Sequence, residues 1–325
     1  MARLLEVKNL TVCVKKEGKS HKILDDISFT IDEGEILGLA GESGCGKSMT
    51  ALSIANLLPH NVKITDGSII FNNIALTDLD EKQLCGIRGN EISIVFQDVR
   101  SALNPLMKIG KQITETLELG GSKDKNLNKI NTLEMLAALG FNNPQRIYNA
   151  YAHQLSGGMC QRIMTAIAVI RRPKLLLGDE PSSSLDEESQ KRCLSLLAER
   201  NSVHKMSLLI ISHDLSIIQQ FCSRFLVMYS GKIIEEGTAQ SLYSPLHPYT
   251  RALVNAIPHK DKRGSNLENI PGRAPSVEDK LQGCPFAPRC TRAKDICKES
   301  FPPAKEYGCA KVFCYFPLDP GDSDV

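Results

Sequence analysis

The sequence lacks a run of about eighteen apolar residues, so we expect no membrane-spanning helix in it. It also lacks a signal peptide, because Met1 to Lys8 carries charges where such a peptide needs an apolar core. Basic residues form no run that resembles a nucleic-acid tail, and 39 Lys and Arg nearly balance 37 Asp and Glu. These absences argue against a chain that crosses the bilayer by itself, is secreted, or binds nucleic acid through charge alone.

Disulfide bonds are not expected either. The chain has eleven cysteines but no secretory signal, which indicates a reducing compartment and therefore free thiols or metal ligands. No internal repeat is visible, and 325 residues are enough for one large domain with an appendage or for two domains.

What the sequence does contain is a stretch with the spacing of a phosphate-binding loop, G-x-x-x-x-G-K-S/T. It follows the apolar run Glu35 to Ala40 and precedes a helix-like segment, Met49 to Leu58. Its glycines let backbone N–H groups point at phosphate oxygens, and the helix offers its positive N-terminal end to the same anion. Lys47 would reach the terminal phosphates, and Ser48 would bind Mg²⁺. We assign nucleotide contacts to Gly41, Glu42, Ser43, Gly44, Cys45, Gly46, Lys47, Ser48 and Met49.

A pair of carboxylates ends the apolar strand predicted for Lys174 to Glu180. Open α/β sheets bind their ligands at the carboxyl ends of such strands. Asp179 would support Mg²⁺, usually through water, and Glu180 would orient and deprotonate the water that attacks the γ-phosphate.

Hydrophobic periodicity predicts an α/β fold. Leu4 to Val14 alternates as in a half-exposed antiparallel sheet, whereas Glu35 to Ala40 is continuously apolar, as in a buried central strand. From Leu103 to His153 the period is helical, with one predicted helix at Ile109 to Leu119. After about Ser244, Pro, His and Cys replace the periodic segments, so we place a domain boundary there.

Leu155-Ser156-Gly157-Gly158-Met159 stands directly before another helix-like run. Here the chain resembles the ATP-binding subunits of ABC transporters, whose signature reads LSGGQ or LSGGM. The resemblance implies a P-loop ABC ATPase cassette with a mixed sheet, a RecA-like core, an antiparallel β subdomain and a helical subdomain at about residues 100–160. It also implies that Ser156, Gly157 and Gly158 bind the γ-phosphate held on a second cassette, so that two cassettes enclose two ATP molecules head to tail.

The same resemblance gives roles to residues that carry little information alone. Gln97 looks like the glutamine that senses the γ-phosphate, and with Ser48 and Asp179 it would complete the Mg²⁺ site. His213 resembles the switch histidine that contacts the γ-phosphate, and Ser184-Leu185-Asp186 resembles the segment at the seam between cassettes.

One feature departs from the family pattern. Relatives usually stack adenine on an aromatic residue near the start of the chain, whereas no Phe, Tyr or Trp precedes Phe29 here. Val14 takes that place, which implies weaker stacking and relaxed choice between ATP and other nucleotides.

Several strings beyond the cassette resemble the subfamily that serves peptide and nickel importers. They are Leu103-Asn104-Pro105, His247-Pro248-Tyr249-Thr250-Arg251-Ala252-Leu253, Ile270-Pro271-Gly272 and Gly283-Cys284-Pro285-Phe286-Ala287-Pro288-Arg289-Cys290. The resemblance implies four partner subunits: a second ATPase subunit in a heterodimer, two membrane permeases and an extracytoplasmic binding protein. It places the chain on the cytoplasmic face of the membrane as a peripheral protein.

Four cysteines of the tail, Cys284, Cys290, Cys297 and Cys314, have the spacing C-x5-C-x6-C-x16-C. Zinc ribbons favour paired C-x2-C knuckles, which are absent, so a loop-rich set of four thiolates fits a 4Fe–4S cluster better. Some peptide-importer relatives carry such a cluster. A zinc site or a set of idle thiols stays open, and Cys309 is a possible substitute ligand.

We therefore expect an ATPase cassette at residues 1–244 and a C-terminal extension at 245–325. It would hydrolyse ATP to power import of oligopeptides or dipeptides. The alternatives are the ATPase subunit of a nickel or metal-chelate importer, a soluble ABC ATPase acting on ribosomes or DNA, and a nucleotide-binding regulator without turnover.

Overall fold

The computed structural model describes residues 2–256, 270–279 and 282–319. The chain forms two compact units, each built from separate stretches of sequence. The first contains residues 31–36 and 78–211 with the first residues of the chain, and the second contains residues 4–30, 37–77 and those from 212 onward. Within the described ranges, no helix combines the length and the apolar character that crossing a membrane requires.

Twelve strands occur in the part of the chain that the structure describes. They are β1 (Arg3–Lys16), β2 (Lys19–Asp32), β3 (Ile36–Ala40), β4 (Val62–Phe71), β5 (Ile74–Ala75), β6 (Ile92–Val95), β7 (Leu175–Asp179), β8 (Ser207–Ile211), β9 (Arg224–Tyr229), β10 (Lys232–Thr238), β11 (Ala304–Tyr307) and β12 (Ala310–Phe313).

The same ranges contain eleven α-helices. They are α1 (Lys47–Ile54), α2 (Glu81–Ile87), α3 (Val99–Ala102), α4 (Ile109–Leu119), α5 (Lys125–Ala138), α6 (Pro144–Asn149), α7 (Gly157–Val169), α8 (Glu187–His204), α9 (Leu215–Phe221), α10 (Pro248–Asn255) and α11 (Asp295–Glu299).

The first unit is built on the parallel strands β6, β7 and β8, with β7 in the middle. Every residue of β7 and β8 is buried, as their continuous apolar sequences require. Helix α8 connects β7 to β8, so the three elements form a βαβ crossover. Helices α4, α5 and α6 pack on one another, and α4 has the bounds that periodicity predicts.

The second unit contains an antiparallel sheet in the order β2-β1-β4-β5, as the alternating N-terminal sequence predicts. It also contains a mixed sheet, in which β3 runs parallel to β9, and β9, β10, β12 and β11 follow in antiparallel order. The prediction of an α/β fold with a mixed sheet is therefore confirmed.

Regular elements after residue 244 were not predicted. Helix α10 and the hairpin of β11 and β12 lie there, and β12 pairs with β10 through Glu235 opposite Val312. Strands of four residues are too short to show a period of two in the sequence, and they are stabilised by the pairing of β12 with β10 and of β11 with β12.

A buried carboxylate joins β10 to the chain that follows it. Glu235 is 1% exposed, and its two oxygens accept hydrogen bonds from the backbone N–H groups of Leu246 and His247 at 2.8 and 2.9 Å. Burial raises the pKa of Glu235. His247 then caps α10, because its Nδ1 accepts a hydrogen bond from the Tyr249 N–H at 3.0 Å.

We predict that Glu235→Ala lowers the free energy of unfolding by about 2 kcal/mol or more, because two buried N–H donors lose their acceptor. Denaturant titration measures this change. Glu236→Ala is the matched control, since the Glu236 carboxylate makes only a long, partly exposed pair with Lys311 at 3.6 Å. Equal changes in both variants would contradict an anchoring role for Glu235.

Candidate phosphate-binding site

The phosphate loop, residues 41–48, connects β3 to α1 in the second unit. Gly41 and Gly46 have φ values of 149° and 114°. A Cβ at Gly41 would lie 2.2 Å from the carbonyl oxygen of Met228, and one at Gly46 would lie 2.7 Å from Leu24 Cδ2. The bend therefore needs glycine both for backbone conformation and for space.

Lys47 is held by the loop itself. Its Nζ donates to the carbonyl oxygens of Gly41 and Glu42 at 2.8 and 2.9 Å, and the residue is only 8% exposed. Cys45 is buried beside it, with Sγ 3.8 Å from Nζ, and burial raises the pKa of this thiol. The ammonium is thus held inside the concavity where a phosphate would bind.

The remaining loop residues are more accessible. Ser43 and Gly44 are exposed at the tip of the loop. Ser48 and Met49 are partly exposed in the first turn of α1. These positions agree with contacts to phosphate through side chains and backbone N–H groups at a helix N-terminus.

In the first unit, parallel pairing brings three predicted residues to one sheet edge. Val95 pairs with Gly178, so Gln97 follows β6 where Asp179 ends β7. Asp179 and Glu180 are 7% and 8% exposed, whereas Gln97 is exposed. Amide and carboxylate oxygens at one edge form a donor set that suits Mg²⁺.

Glu180 has an unusual backbone. Its φ is 54°, in the left-handed region that residues with a Cβ rarely adopt, and its N–H donates to Ile211 O at 3.0 Å. Such strain persists only where surrounding contacts enforce it, and it is common at functional sites.

One of those contacts comes from Gln161, a residue with no role in the sequence prediction. Gln161 is fully buried on α7; its Nε2 donates to Glu180 O at 2.6 Å, and its Oε1 accepts from Ser184 N at 3.1 Å. The predicted signature residue Ser156 caps the same helix, accepting from Met159 N at 3.3 Å. Gln161 therefore joins the signature helix to both Glu180 and the Ser184 segment.

His213 belongs to the second unit and is exposed. The preceding residue, Ser212, donates its N–H to Leu39 O of β3 at 3.2 Å, and Asp214 caps α9. The histidine therefore lies near the end of the strand that leads into the phosphate loop. The loop itself and the pair Asp179–Glu180 belong to different compact units.

The C-terminal extension contacts the phosphate loop at Glu42. Arg289 Nη1 and Nη2 donate to the two Glu42 oxygens at 2.7 and 3.1 Å, and Nη1 also donates to Tyr229 OH at 3.0 Å. The Glu42 N–H donates to Tyr249 OH at 2.8 Å. Arg289 and Tyr249 both belong to sequence motifs shared with peptide and nickel importers. The sequence did not predict that either residue contacts Glu42.

This ion pair is shielded on the arginine side. The Arg289 side chain is 6% exposed and that of Glu42 is 25% exposed. The hydrogen bonds to Glu42 are the main reason that the pKa of Arg289 is raised, so the guanidinium keeps its charge at any physiological pH. Tyr229 packs edge to face on both Tyr249 and Phe286, and the rings of Tyr249 and Phe286 are tilted against each other.

The four predicted cluster cysteines come together in the same unit. Cys284, Cys290, Cys297 and Cys314 line one small cavity, whereas the exposed Cys309 does not. Burial raises the pKa of Cys284 and of Cys314 to about 11. As placed among the described residues, no three His, Cys, Asp or Glu side chains lie close enough to hold a metal ion.

Comparisons with known proteins cover nearly the whole chain. The family model for ABC transporters matches residues 24–183, and the one for the oligopeptide/dipeptide transporter C-terminal region matches residues 234–297. The dipeptide transport ATP-binding protein DppD of Haemophilus influenzae is 39% identical over 97% of this chain and 96% of its own length. The oligopeptide transport ATP-binding protein AppD of Bacillus subtilis is 41% identical over 91% of each chain.

A solved structure resembles part of the chain. It is a dimeric ATP-binding cassette in a post-hydrolysis state with ADP and Pi, with a TM-score of 0.67 and 28% identity. The match covers 73% of this chain and 99% of that one.

We predict that Arg289→Ala lowers the free energy of unfolding by about 2 kcal/mol, because the Glu42 carboxylate loses two charge-assisted hydrogen bonds. A double-mutant cycle with Glu42→Ala should give a coupling energy above about 1 kcal/mol. Arg273→Ala, which removes an exposed pair with Asp279 at 3.6 Å, is the control and should change stability far less. Strict additivity of Arg289→Ala and Glu42→Ala would show that the ion pair contributes nothing.

Proposed function

This chain belongs to the ATP-binding proteins of the ABC transporter family, and from that premise we propose that it hydrolyses ATP to power import of dipeptides or oligopeptides. The observation that carries the proposal is the glycine-dependent loop around Lys47, in a chain whose peptide-transport relatives match it over more than nine tenths of its length. These relatives are dipeptide and oligopeptide transport proteins, so a nickel importer and an ATPase for ribosomes or DNA are not favoured.

In the proposed reaction, the loop from Gly41 to Met49 binds the triphosphate through backbone N–H groups and Lys47. Ser48, Gln97 and Asp179 would hold Mg²⁺, which neutralises phosphate charge when bound. Glu180 orients the attacking water and accepts its proton, and His213 contacts the γ-phosphate.

The signature residues act on a second copy of the cassette. Ser156, Gly157 and Gly158 lie at the N-terminus of α7, where a helix attracts an anion. We propose that they bind the γ-phosphate of the partner cassette, and that Gln161 relays the position of this helix to the backbone of Glu180.

We infer a second ATPase subunit in a heterodimer, two permeases that recruit the complex to the cytoplasmic face of the membrane, and an extracytoplasmic binding protein. We propose that the cassette comprises residues 1–244 and the extension residues 245–325. The two family models match residues 24–183 and 234–297.

We also propose that the four cysteines hold a 4Fe–4S cluster. Besides the shared cavity, the support is His247, which lines it and whose buried Nε2 has no hydrogen-bond partner among the described residues. Because Nδ1 accepts from Tyr249 N–H, Nε2 carries the proton and needs an acceptor, which cluster sulfide provides. A cluster would cross-link an extension that has few regular elements.

We predict that Glu180→Gln keeps nucleotide affinity but lowers the ATP hydrolysis rate at least about a hundredfold, because an amide cannot accept the proton. Phosphate release and equilibrium binding measure the two effects. Lys47→Ala is the contrasting variant and should weaken nucleotide binding about tenfold or more, through loss of charge-assisted contacts. Wild-type turnover by Glu180→Gln would overturn the general-base role.

We predict that anaerobically purified protein contains iron and acid-labile sulfide in near-equal amounts, and that Ser in place of Cys284, Cys290, Cys297 or Cys314 removes both. Cys309→Ser is the control, because this exposed thiol does not line the cavity. Stoichiometric zinc, or metal-free protein with unchanged folding in all variants, would refute the cluster.

A further inference from the structure

An open cavity adjoins the phosphate loop in the second unit. It includes Gly44 at the tip of the loop. One side is formed by the start of β2, from Lys19 to Ile23, and by the turn Ser230–Gly231. The other side is formed by Pro275–Asp279 of the C-terminal extension. A ligand whose phosphates bind the loop could therefore extend into this cavity. The start of β2 and the C-terminal extension, which are distant in sequence, form its two sides.

The extension segment is attached to the phosphate loop at one end. The Arg289 guanidinium that pairs with Glu42 also donates from Nε to Pro271 O at 2.7 Å and from Nη2 to Ile270 O at 3.2 Å. Residues 272–279 follow directly. The buried Arg289 side chain therefore holds residues 270–271 close to Glu42 of the phosphate loop.

The other end of the segment is attached to the N-terminal hairpin. Glu278 forms a 2.5 Å ion pair with Lys16 at the end of β1. Ser276 and Asp279 close a turn, in which Ser276 N–H donates to Asp279 Oδ2 at 2.7 Å and Asp279 N–H donates to Ser276 O at 3.1 Å. The segment is therefore held at both ends beside the cavity.

The charges around the cavity favour an uncharged occupant. Lys22 and Lys232 both pair with Asp25 at 2.6 Å, and Lys16 pairs with Glu278. Lys19 and Asp279 also line the cavity, so three ammonium groups and three carboxylates surround it among the described residues, and this balance attracts a further anion only weakly. A second phosphate group is thus a poor candidate for this space.

Part of the lining offers apolar surface. Among the described residues that line the cavity, His21 alone has an aromatic ring, and it is partly exposed. Val277 is 41% exposed, and Ile23 and Pro275 add further apolar surface. A heteroaromatic base has flat apolar faces that suit such side chains, and imidazole can stack on it.

We propose that this cavity holds the base and ribose of the nucleotide whose phosphates bind the loop, with His21 and Val277 as base contacts. The proposal rests on the ATPase function proposed above. It explains how a chain without an aromatic residue before Phe29 retains a base: the C-terminal extension supplies part of the pocket.

The test compares equilibrium binding of AMP-PNP and of inorganic tripolyphosphate, both with Mg²⁺, to the full chain. His21→Ala should weaken AMP-PNP binding about fivefold or more, the loss typical of base stacking. Val277→Asp should weaken it about threefold or more, because apolar contact is lost. Neither change should alter tripolyphosphate binding, because that ligand has no base.

Matched controls are His60→Ala and Val203→Asp, exposed residues outside the cavity, which should leave both ligands unaffected. If the wild-type chain bound neither ligand, the ATPase assignment would fall together with the base pocket. If it bound both, and His21→Ala and Val277→Asp matched their controls, the base pocket alone would be refuted. Equal weakening of both ligands would also overturn it, because the effect would then come from the phosphate loop.

Discussion

The bend of the phosphate loop is the constraint on which the nucleotide site depends. An anion is bound only if several backbone N–H groups converge, and that convergence requires left-handed or similarly rare conformations. At Gly41 and Gly46 the neighbouring atoms of Met228 and Leu24 leave no room for a Cβ. The loop is therefore shaped by its tight packing as well as by its own sequence, and Lys47 is held by the carbonyl groups that this packing orients.

The same loop connects the cassette chemistry to the C-terminal extension. Glu42 gives its carboxylate to Arg289 and its N–H to Tyr249, so two residues from beyond position 244 bind the second residue of the loop. Arg289 directly precedes Cys290 of the cysteine cavity. A movement of Cys290 would therefore displace the neighbouring Arg289, which holds Glu42 of the phosphate loop. This arrangement gives the extension a physical route to nucleotide binding without a direct contact to phosphate.

Glu180 shows a comparable dependence in the first unit. Its left-handed backbone is supported by Ile211 O on one side and by the Gln161 amide on the other. Because Gln161 lies on the helix that Ser156 caps, movement of the signature helix would bear on the backbone that orients the carboxylate. The buried Gln161 amide uses both its nitrogen and its oxygen in hydrogen bonds. Breaking either bond would leave a buried polar group unsatisfied, so the amide stabilises the backbone conformation of Glu180.

The sequence by itself determined the elements whose signal is local. Residue types at set spacings identify the phosphate loop, the pair Asp179–Glu180 and the four tail cysteines, and a 3.6-residue period locates α4. Only the tertiary structure decided which distant residues meet. Arg289 pairs with Glu42 across 247 positions, Gln161 reaches Glu180, and His21 faces a cavity shared with Val277. Such contacts produce no periodicity or fixed spacing in the sequence. The partners are distant along the chain and meet only when it folds, so the residues around one partner do not identify the other.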